Sequence, residues 1–192
     1  MVTDKSVASA LGSIQDKPLL WQVGAVLAGT VFLAAASYVE VPLVPVPVNM
    51  QTLAVTLIGA VYGWRLGALT VIAWLAEAAL GMPVLSGGAA GAHHFVGPTA
   101  GYLFAFPLVA ALTGWLAERG WSGQRPVLAF LSMALGNAVC LVLGGMWLAV
   151  VIGPQDAWTF GVVPFLAGGL LKSALGASLL YALSRRKSPK SE

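Results

Sequence analysis

The amino-acid sequence predicts an all-α integral membrane protein with six transmembrane helices and both termini in the cytoplasm. Of its 192 residues, 58% are hydrophobic and only 9% are charged, and the mean hydropathy is +0.86. Soluble domains carry about 25% charged residues, so this composition excludes a soluble globular protein. Long uncharged runs, in which polar and apolar residues do not alternate, also exclude an outer-membrane β-barrel.

The sparse charged residues divide the chain into six apolar segments, at 19–39, 50–62, 66–80, 99–117, 126–152 and 159–184. About 20 apolar residues cross a bilayer, so a chain of this length holds about six spans and no separate soluble domain. The second and third segments are short and are separated only by Gly63, Trp64 and Arg65, which predicts a tight hairpin.

We therefore expect residues 1–192 to form a single membrane domain. Residues 1–18 form a cytoplasmic tail, residues 19–184 a six-helix bundle, and residues 185–192 a basic cytoplasmic tail. The first apolar segment has no small-x-small cleavage site in the expected place, which indicates an uncleaved first helix rather than a signal peptide.

The basic residues predict the orientation of this bundle. All Lys and Arg residues except Lys172 lie before the first segment, between the second and third, between the fourth and fifth, or after the sixth. The opposite loops, 40–49, 81–98 and 153–158, contain no Lys or Arg. By the positive-inside rule both termini are cytoplasmic, which requires an even number of spans.

Lys172 lies inside a predicted span, at ~20 Å from its cytoplasmic end when each residue rises 1.5 Å. Glu77 is a carboxylate inside another span, at a similar depth of ~18 Å. A charged side chain at such a depth costs about 2.5–3.5 kcal/mol and usually faces a partner or a cavity. Two interpretations follow. Glu77 and Lys172 form a buried ion pair between helices, or Lys172 receives an anion in an outward-facing cavity that Glu77 helps to line.

Two outer loops favour the cavity. The loop over 82–98 is long and rich in glycine, so its backbone amides can approach a ligand closely. The loop over 41–49 is apolar and contains three prolines, which indicates a stiff lid. Gln51 and Asn137 add polar amides near the same half of the membrane, and Trp74 adds an aromatic wall. Each of these three side chains could instead serve only the packing of helices.

Other motifs predict no chemistry. The segment 168–173 resembles the end of a phosphate-binding loop but lacks the first glycine at the required spacing, so we expect no ATP hydrolysis by this chain. His93 and His94 are adjacent, and adjacent side chains diverge, so we expect neither a metal site nor a catalytic triad. We therefore predict that the chain is not an enzyme and uses no cofactor. The single cysteine, Cys140, forms no intramolecular disulfide.

Small residues on the first segment form two pairs spaced four positions apart, Gly24 with Ala28 and Ala25 with Gly29. Such pairs allow helices to approach closely. They indicate either packing within the bundle or a docking surface for a partner subunit. The basic C-terminal tail is expected to contact anionic lipid and not nucleic acid.

Five stretches in series resemble the BioY family, whose members are the biotin-capturing S components of energy-coupling-factor (ECF) transporters. They are PVNMQTL at 47–53, GWRLGA at 63–68, GMPV at 81–84 with the glycines at 87 and 88, GPTAGY at 97–102, and PFL at 164–166 leading to Lys172. Family members commonly carry an acidic residue three positions before this lysine, where the present chain has Gly169, and Ala100 replaces a frequent glycine.

The resemblance implies a multi-pass subunit of a bacterial cytoplasmic membrane whose outward-facing pocket binds biotin. Its partners would be a transmembrane coupling subunit and ATPase subunits, and only the ATPase subunits would hydrolyse ATP. The residues and the resemblance together predict a set of ligand-binding side chains and backbone positions: Gln51, Trp74, Glu77, Ser86, Gly87, Gly88, Thr99, Tyr102, Asn137 and Lys172. The predicted partner-docking residues are Gly24, Ala25, Ala28 and Gly29.

Three alternative functions stay open at this point. The chain could be an S component for another small anionic vitamin, because only the pocket residues choose the ligand. It could be an intramembrane enzyme that acts on lipid, although the sequence contains no recognisable catalytic dyad. It could also be a structural membrane subunit in which Glu77 and Lys172 pair and no ligand binds.

Overall fold

The computed structural model describes residues 14–185 of the chain. Most of the two predicted tails therefore lies outside the described residues, including Lys5 and the basic residues Arg186, Lys187 and Lys190. The predicted contact of the C-terminal tail with lipid concerns those residues and stays a prediction.

The described part of the chain forms six principal helices, each of which corresponds to one predicted apolar segment. They are α1 (Leu19–Ser37), α2 (Gln51–Tyr62), α3 (Trp64–Ala79), α4 (Ala100–Glu118), α5 (Pro126–Ile152) and α6 (Val163–Arg185). A short helical turn, Pro154–Asp156, and a π-helical stretch, Ala157–Val162, lead directly into α6. The chain is thus mostly helical, as the hydropathy pattern predicts.

The helices differ in their capacity to cross a membrane. Four helical stretches are long and apolar enough to do so by length and composition: α1, α4, α5 and the continuous stretch Pro154–Arg185. The other two, α2 and α3, contain 12 and 16 residues. They form the tight hairpin that the sequence predicts, because Gly63 between them adopts a φ of 81°, which favours glycine.

The loop between α1 and α2 contains a two-stranded hairpin that the sequence does not predict. Two short strands, β1 (Glu40–Val41) and β2 (Val48–Asn49), pair in antiparallel register, with Glu40 opposite Asn49 and Val41 opposite Val48. They close the proline-rich loop into a small hairpin. The loop between α3 and α4 contains two 3₁₀ turns, Ser86–Gly88 and Ala92–Phe95.

Close contacts at glycine hold α2, α3 and α4 together. A Cβ atom at Gly59 in α2 would overlap the Ala110 carbonyl oxygen and the Thr113 hydroxyl of α4. A Cβ atom at Gly67 in α3 would lie 3.0 Å from the Cα of Gly59. Small residues at these crossings allow the backbones to approach, which supplies the packing that drives helix association within a membrane.

The outer surface of the bundle is apolar. Large hydrophobic side chains on α1, α4 and α5 are exposed, among them Leu20, Val31, Leu108 and Val150. A soluble monomer rarely exposes so much contiguous apolar surface, whereas hydrocarbon is its natural surrounding. The described surface therefore agrees with a multi-pass membrane protein.

The glycine crossing at Gly59 yields a test of the fold. The Gly59→Ala change should destabilise the protein by about 1–3 kcal/mol, the usual cost of overpacking a close contact. The Gly24→Ala change is the matched control, because no atom lies within 4 Å of a Cβ atom added there. Thermal unfolding in detergent should show a lower midpoint for the first variant only. Equal midpoints for both variants would contradict the close crossing of α2 and α4.

Candidate functional site

A cavity of about 340 Å³ lies in the bundle, roofed by the two outer loops. This size falls within the range of ~300–1,000 Å³ that small-molecule sites usually have. Helices α2, α4, α5 and α6 contribute to its wall, whereas α1 and α3 do not. The lining residues are Pro45, Val46, Pro47, Asn49, Gln51, Thr52, Leu85, Ser86, Ala89, His94, Pro98, Thr99, Tyr102, Leu103, Phe106, Asn137, Cys140, Leu141, Phe165, Gly169 and Lys172.

The Lys172 ammonium is the central polar group of the cavity. The side chain is 7% exposed, and its Nζ donates hydrogen bonds to the Asn49 carbonyl oxygen at 2.8 Å and to the Thr52 hydroxyl at 3.0 Å. An ammonium group has three protons, so one donor is left for a ligand. Neither partner is an anion, so the charge of Lys172 is not neutralised by the groups that hold it.

The structure does not form the Glu77–Lys172 ion pair that was one of the two interpretations of the sequence. Glu77 is half-buried near the end of α3 and is not part of the cavity wall. Helix α3 packs against α1, α2 and α4, whereas α6 packs against α5 and α2. A similar depth along two helices therefore does not make their side chains neighbours. Glu77 lies outside the cavity in which a ligand could bind.

A network of hydrogen bonds joins both outer loops to the start of α2. Asn49 Nδ2 donates to Gln51 Oε1 at 2.9 Å and to the Ser86 hydroxyl at 2.8 Å, and Asn49 Oδ1 accepts from the Gln51 backbone N–H at 3.0 Å. Gln51 Nε2 donates to the Ser37 hydroxyl at 3.0 Å. The Ser86 hydroxyl in turn donates to the Glu40 carboxylate. The network fixes the position of Asn49, whose carbonyl oxygen holds Lys172.

Tyr102 and Phe165 form an aromatic wall. Their rings are stacked, with centroids 6.3 Å apart and an interplanar angle of 28°. The Tyr102 hydroxyl donates to the Gly161 carbonyl oxygen at 2.8 Å, so its proton is committed within the bundle and Tyr102 offers a ligand its ring. Gly144 leaves the space for this ring, because a Cβ atom there would overlap it. Thr99 lines the cavity just before α4 begins.

Asn137 supplies an amide oxygen on the same wall. Its Nδ2 donates to the Met133 carbonyl oxygen at 3.0 Å and to the Ser173 hydroxyl at 3.1 Å. Both amide protons are therefore committed within the bundle, and the group left for a ligand is the acceptor oxygen. Gly169 lies beside it, since a Cβ atom at Gly169 would be 3.7 Å from the Asn137 Cβ. The cavity thus offers a cationic donor and a neutral acceptor.

Three other predicted positions lie behind the wall and not on it. Trp74 is fully buried, donates from Nε1 to the Val84 carbonyl oxygen at 3.0 Å, and packs against Phe106 with ring centroids 6.0 Å apart. At Gly87 and Gly88 the space that a side chain would occupy is taken by Glu40 and Tyr38, respectively. These three positions therefore support the cavity wall from behind. The sequence does not reveal this, because residue spacing along one helix or loop does not show which side chains reach the cavity.

Several residues of the wall are not predicted from the sequence. Asn49 and Thr52 flank Gln51 in a quoted motif, but their contacts with Lys172 depend on the approach of α6 to α2. The sequence indicates neither a metal-binding nor a catalytic role for His94, yet its side chain lines the cavity. Within residues 14–185, no group of three or more His, Cys, Asp and Glu side chains could hold a metal ion.

The predicted docking residues on α1 divide between two faces. Gly24 and Ala28 are exposed, and Ala25 is half-buried. Gly29 is buried, and a Cβ atom there would lie 2.5 Å from Thr70 Cγ2 and 3.1 Å from the Tyr62 ring. Gly29 therefore packs inside the bundle and is not available to a partner.

Comparison with known proteins identifies the family. A model of the BioY family matches residues 9–189. The chain belongs to the BioY family. The biotin transporter BioY of Rhodobacter capsulatus is 40% identical over 148 residues, which cover 69% of this chain and 77% of that protein. The biotin transporter BioY of Rhizobium etli is 39% identical over 143 residues, which cover 71% and 76%.

A relative from another organism and a solved structure agree with this assignment. The probable biotin transporter BioY of Pyrococcus horikoshii is 33% identical over 141 residues, which cover 73% of this chain and 82% of that protein. The crystal structure of the S-component for biotin from an ECF-type ABC transporter aligns with a TM-score of 0.76 at 23% identity, covering 88% of this chain and 95% of that chain. The fold of this BioY member is therefore that of an S component.

The position of Trp74 behind the cavity wall yields a test of the site. The Trp74→Phe change removes the bond to the Val84 carbonyl oxygen and should lower the free energy of unfolding by roughly 0.5–1.5 kcal/mol. The Trp158→Phe change is the control, because Trp158 is exposed. The midpoint of thermal unfolding in detergent measures both effects. An unaltered midpoint for Trp74→Phe would show that this hydrogen bond does not support the loop over the cavity.

Proposed function

We propose that this chain captures biotin at the outer side of the membrane for uptake, as the substrate-binding subunit of an ECF-type transporter. The observation that carries the proposal is the buried Lys172 ammonium on the wall of a 340 Å³ cavity, in a chain whose relatives are named biotin transporters. The family consists of transporter components, so the expected activity is binding and transport and not catalysis.

The chemistry of the cavity fits the two polar ends of biotin. Biotin has one carboxylate and one neutral cyclic urea, joined by an apolar chain and ring. Lys172 supplies a charge-assisted donor for the carboxylate. The Asn137 oxygen can accept from the urea, and the rings of Tyr102 and Phe165 provide an apolar surface for the bicyclic part. We assign the predicted residues Gln51, Ser86 and Thr99 to the same site, where they line the cavity.

The chain itself performs binding, orientation and the exclusion of water. The proline-rich hairpin covers the cavity through Pro45, Val46 and Pro47, and the bond between Asn49 and Ser86 joins it to the glycine-rich loop. We propose that release into the cell uses energy from ATP, which partner ATPase subunits would supply through a transmembrane coupling subunit. No cofactor is proposed for this chain.

We propose that all six helices cross or enter the membrane, with both termini in the cytoplasm. The described basic residues support this orientation, because Lys17, Arg65, Arg119, Arg125 and Arg185 lie at the same predicted end of the bundle. Four of them, all except Arg125, lie over neighbouring aromatic rings. The distance to the ring centroid is 5.0 Å for Arg65 on Trp64 and 3.4 Å for Arg119 on Trp115. Such amphipathic pairs suit a membrane interface.

A partner surface on α1 is proposed for Gly24 and Ala28 only. Both residues are exposed, and an added Cβ atom at Gly24 would meet no atom within 4 Å. Small residues four positions apart on an open helix face allow a second helix to approach closely. The half-buried Ala25 lies at the edge of this surface.

The role of Lys172 is tested by the charge of the ligand. The Lys172→Ala change should weaken biotin binding at least about tenfold, because a hydrogen bond to a charged group contributes roughly 1.5–3 kcal/mol. Calorimetric titration should show that the unmodified protein prefers biotin to its primary amide and that the variant has lost most of this preference.

Two variants serve as controls for the Lys172 experiment. The Lys17→Ala change removes an ammonium outside the cavity and should leave affinity unchanged. The Glu77→Gln change should also leave it unchanged, since Glu77 is not on the cavity wall. Equal affinity of the unmodified protein for the acid and the amide would contradict the contact between Lys172 and the carboxylate. High affinity for another anionic vitamin, without biotin binding, would favour a different S component.

The orientation is tested by labelling single cysteines in intact cells, after Cys140 has been replaced by Ser. A membrane-impermeant reagent should label Val96→Cys, which lies at an exposed position of the predicted outer loop. It should not label Gln124→Cys, which lies at an exposed position of the predicted inner loop, until the cells are opened. External labelling of position 124 would invert or exclude the proposed topology.

The partner surface is tested by enlarging exposed residues of α1. The Gly24→Leu and Ala28→Leu changes should each lower co-purification with a coupling subunit several-fold while sparing biotin binding, because the added side chains block close approach. The Leu108→Phe change enlarges an exposed side chain on α4 and is the control. If Gly24→Leu and Ala28→Leu both assemble like the control, this face of α1 contacts lipid and not a partner.

A further inference from the structure

The binding cavity contains a second basic group, His94. It belongs to the 3₁₀ turn Ala92–Phe95 in the outer loop, and its side chain lines the same cavity as Lys172. None of the described lining residues is Asp or Glu. The wall of the cavity therefore combines a lysine and an imidazole, a base that titrates near neutral pH, and it contains no carboxylate that could neutralise either of them.

We propose that His94 is a ligand-contacting residue of this site whose protonation strengthens the binding of an anionic ligand. The inference deepens the proposed function and rests on biotin, with its single carboxylate, as that ligand. His94 would thereby make the affinity of the site depend on pH in the range where an imidazole titrates.

The surroundings of His94 determine the direction of its titration. Two helices pack against the turn: α3, which carries Glu77, and α4, which carries Tyr102. The other ionisable groups nearby are His93 on the same turn, Glu40 on the adjacent hairpin, and Cys140 and Lys172 on the cavity wall. Burial is the main cause that lowers the pKa of His94, and the charge of His93 lowers it further. In the empty site His94 is therefore neutral at neutral pH.

A bound carboxylate reverses this preference. An anion in the cavity favours the charged imidazolium, so the pKa of His94 is higher in the complex than in the free protein. By linkage, binding takes up protons at pH values between the free and bound pKa. Above that interval the affinity for the anion does not depend on pH. The affinity rises as the pH falls through the interval and is highest and again constant below it.

The neighbouring His93 provides a matched control for His94. The two rings are 4.1 Å apart, but His93 is exposed and does not line the cavity. A variant at His93 therefore leaves the cavity wall intact. It should raise the pKa of His94 slightly, since it removes a neighbouring charge, and should keep the dependence of affinity on pH.

Calorimetric titration of the full chain in detergent, with biotin and with its primary amide, tests the proposal. At about pH 5.5 the unmodified protein should bind biotin roughly threefold or more tightly than at about pH 8, the size expected for a partly exposed ion pair. Buffers with different ionisation enthalpies should reveal proton uptake with biotin and none with the amide. The His93→Asn protein should show the same pH dependence and proton uptake as the unmodified protein, whereas the His94→Asn protein should lose both effects.

The outcomes separate this proposal from the proposed function. Biotin binding without proton uptake, or uptake that persists in His94→Asn, would overturn the role of His94 and leave biotin capture standing. Equal uptake with biotin and with the amide would also overturn it, because the carboxylate would then not be the group that responds. Absence of biotin binding at both pH values would overturn the proposed function, and this inference with it.

Discussion

The buried ammonium of Lys172 is the group on which the rest of the site depends. A cation in the interior of an apolar bundle costs several kcal/mol unless polar groups surround it. Here the Asn49 carbonyl oxygen and the Thr52 hydroxyl accept from Nζ at 2.8 and 3.0 Å. Asn49 ends β2 and Thr52 lies in the first turn of α2, so the position of Lys172 depends on how this junction between β2 and α2 is held. The hydrogen bonds of Asn49 with Gln51 and Ser86 hold it there.

This arrangement connects the loops above the cavity with the charge inside it. Asn49 belongs to β2, its side chain bonds the glycine-rich loop through Ser86, and its carbonyl oxygen bonds Lys172. A displacement of the hairpin would therefore move a direct partner of the ammonium. Asn49 is therefore a shared contact of the loops that cover the cavity and of the lysine on its wall.

The helices divide into two groups with different tasks. Helices α2, α4, α5 and α6 form the cavity wall, whereas α1 and α3 contribute none of its lining. Helix α3 supports the wall from behind through Trp74, and α1 buries Gly29 against the bundle while Gly24 and Ala28 stay exposed. Contacts at Gly59, Gly67 and Gly144 supply the close approaches that this compact arrangement needs. The cavity and the exposed face of α1 thus occupy different parts of a small bundle.

The sequence by itself determined the helical segments, because sparse charges in a strongly apolar chain mark the ends of helices, and it singled out Lys172 because a lysine inside a span is costly. Five motifs in the expected order were also enough to indicate the family.

Only the tertiary structure decided which side chains share the cavity. Glu77 matches Lys172 in depth but lies on α3, Gly29 faces the bundle while Ala28 does not, and His94 reaches the wall from a loop. The physical reason is that hydropathy and residue spacing give the position of a side chain along its own helix. Which side chains become neighbours depends on the rotation and the crossing angle of the helices, and close contacts between residues far apart in the sequence determine these two quantities.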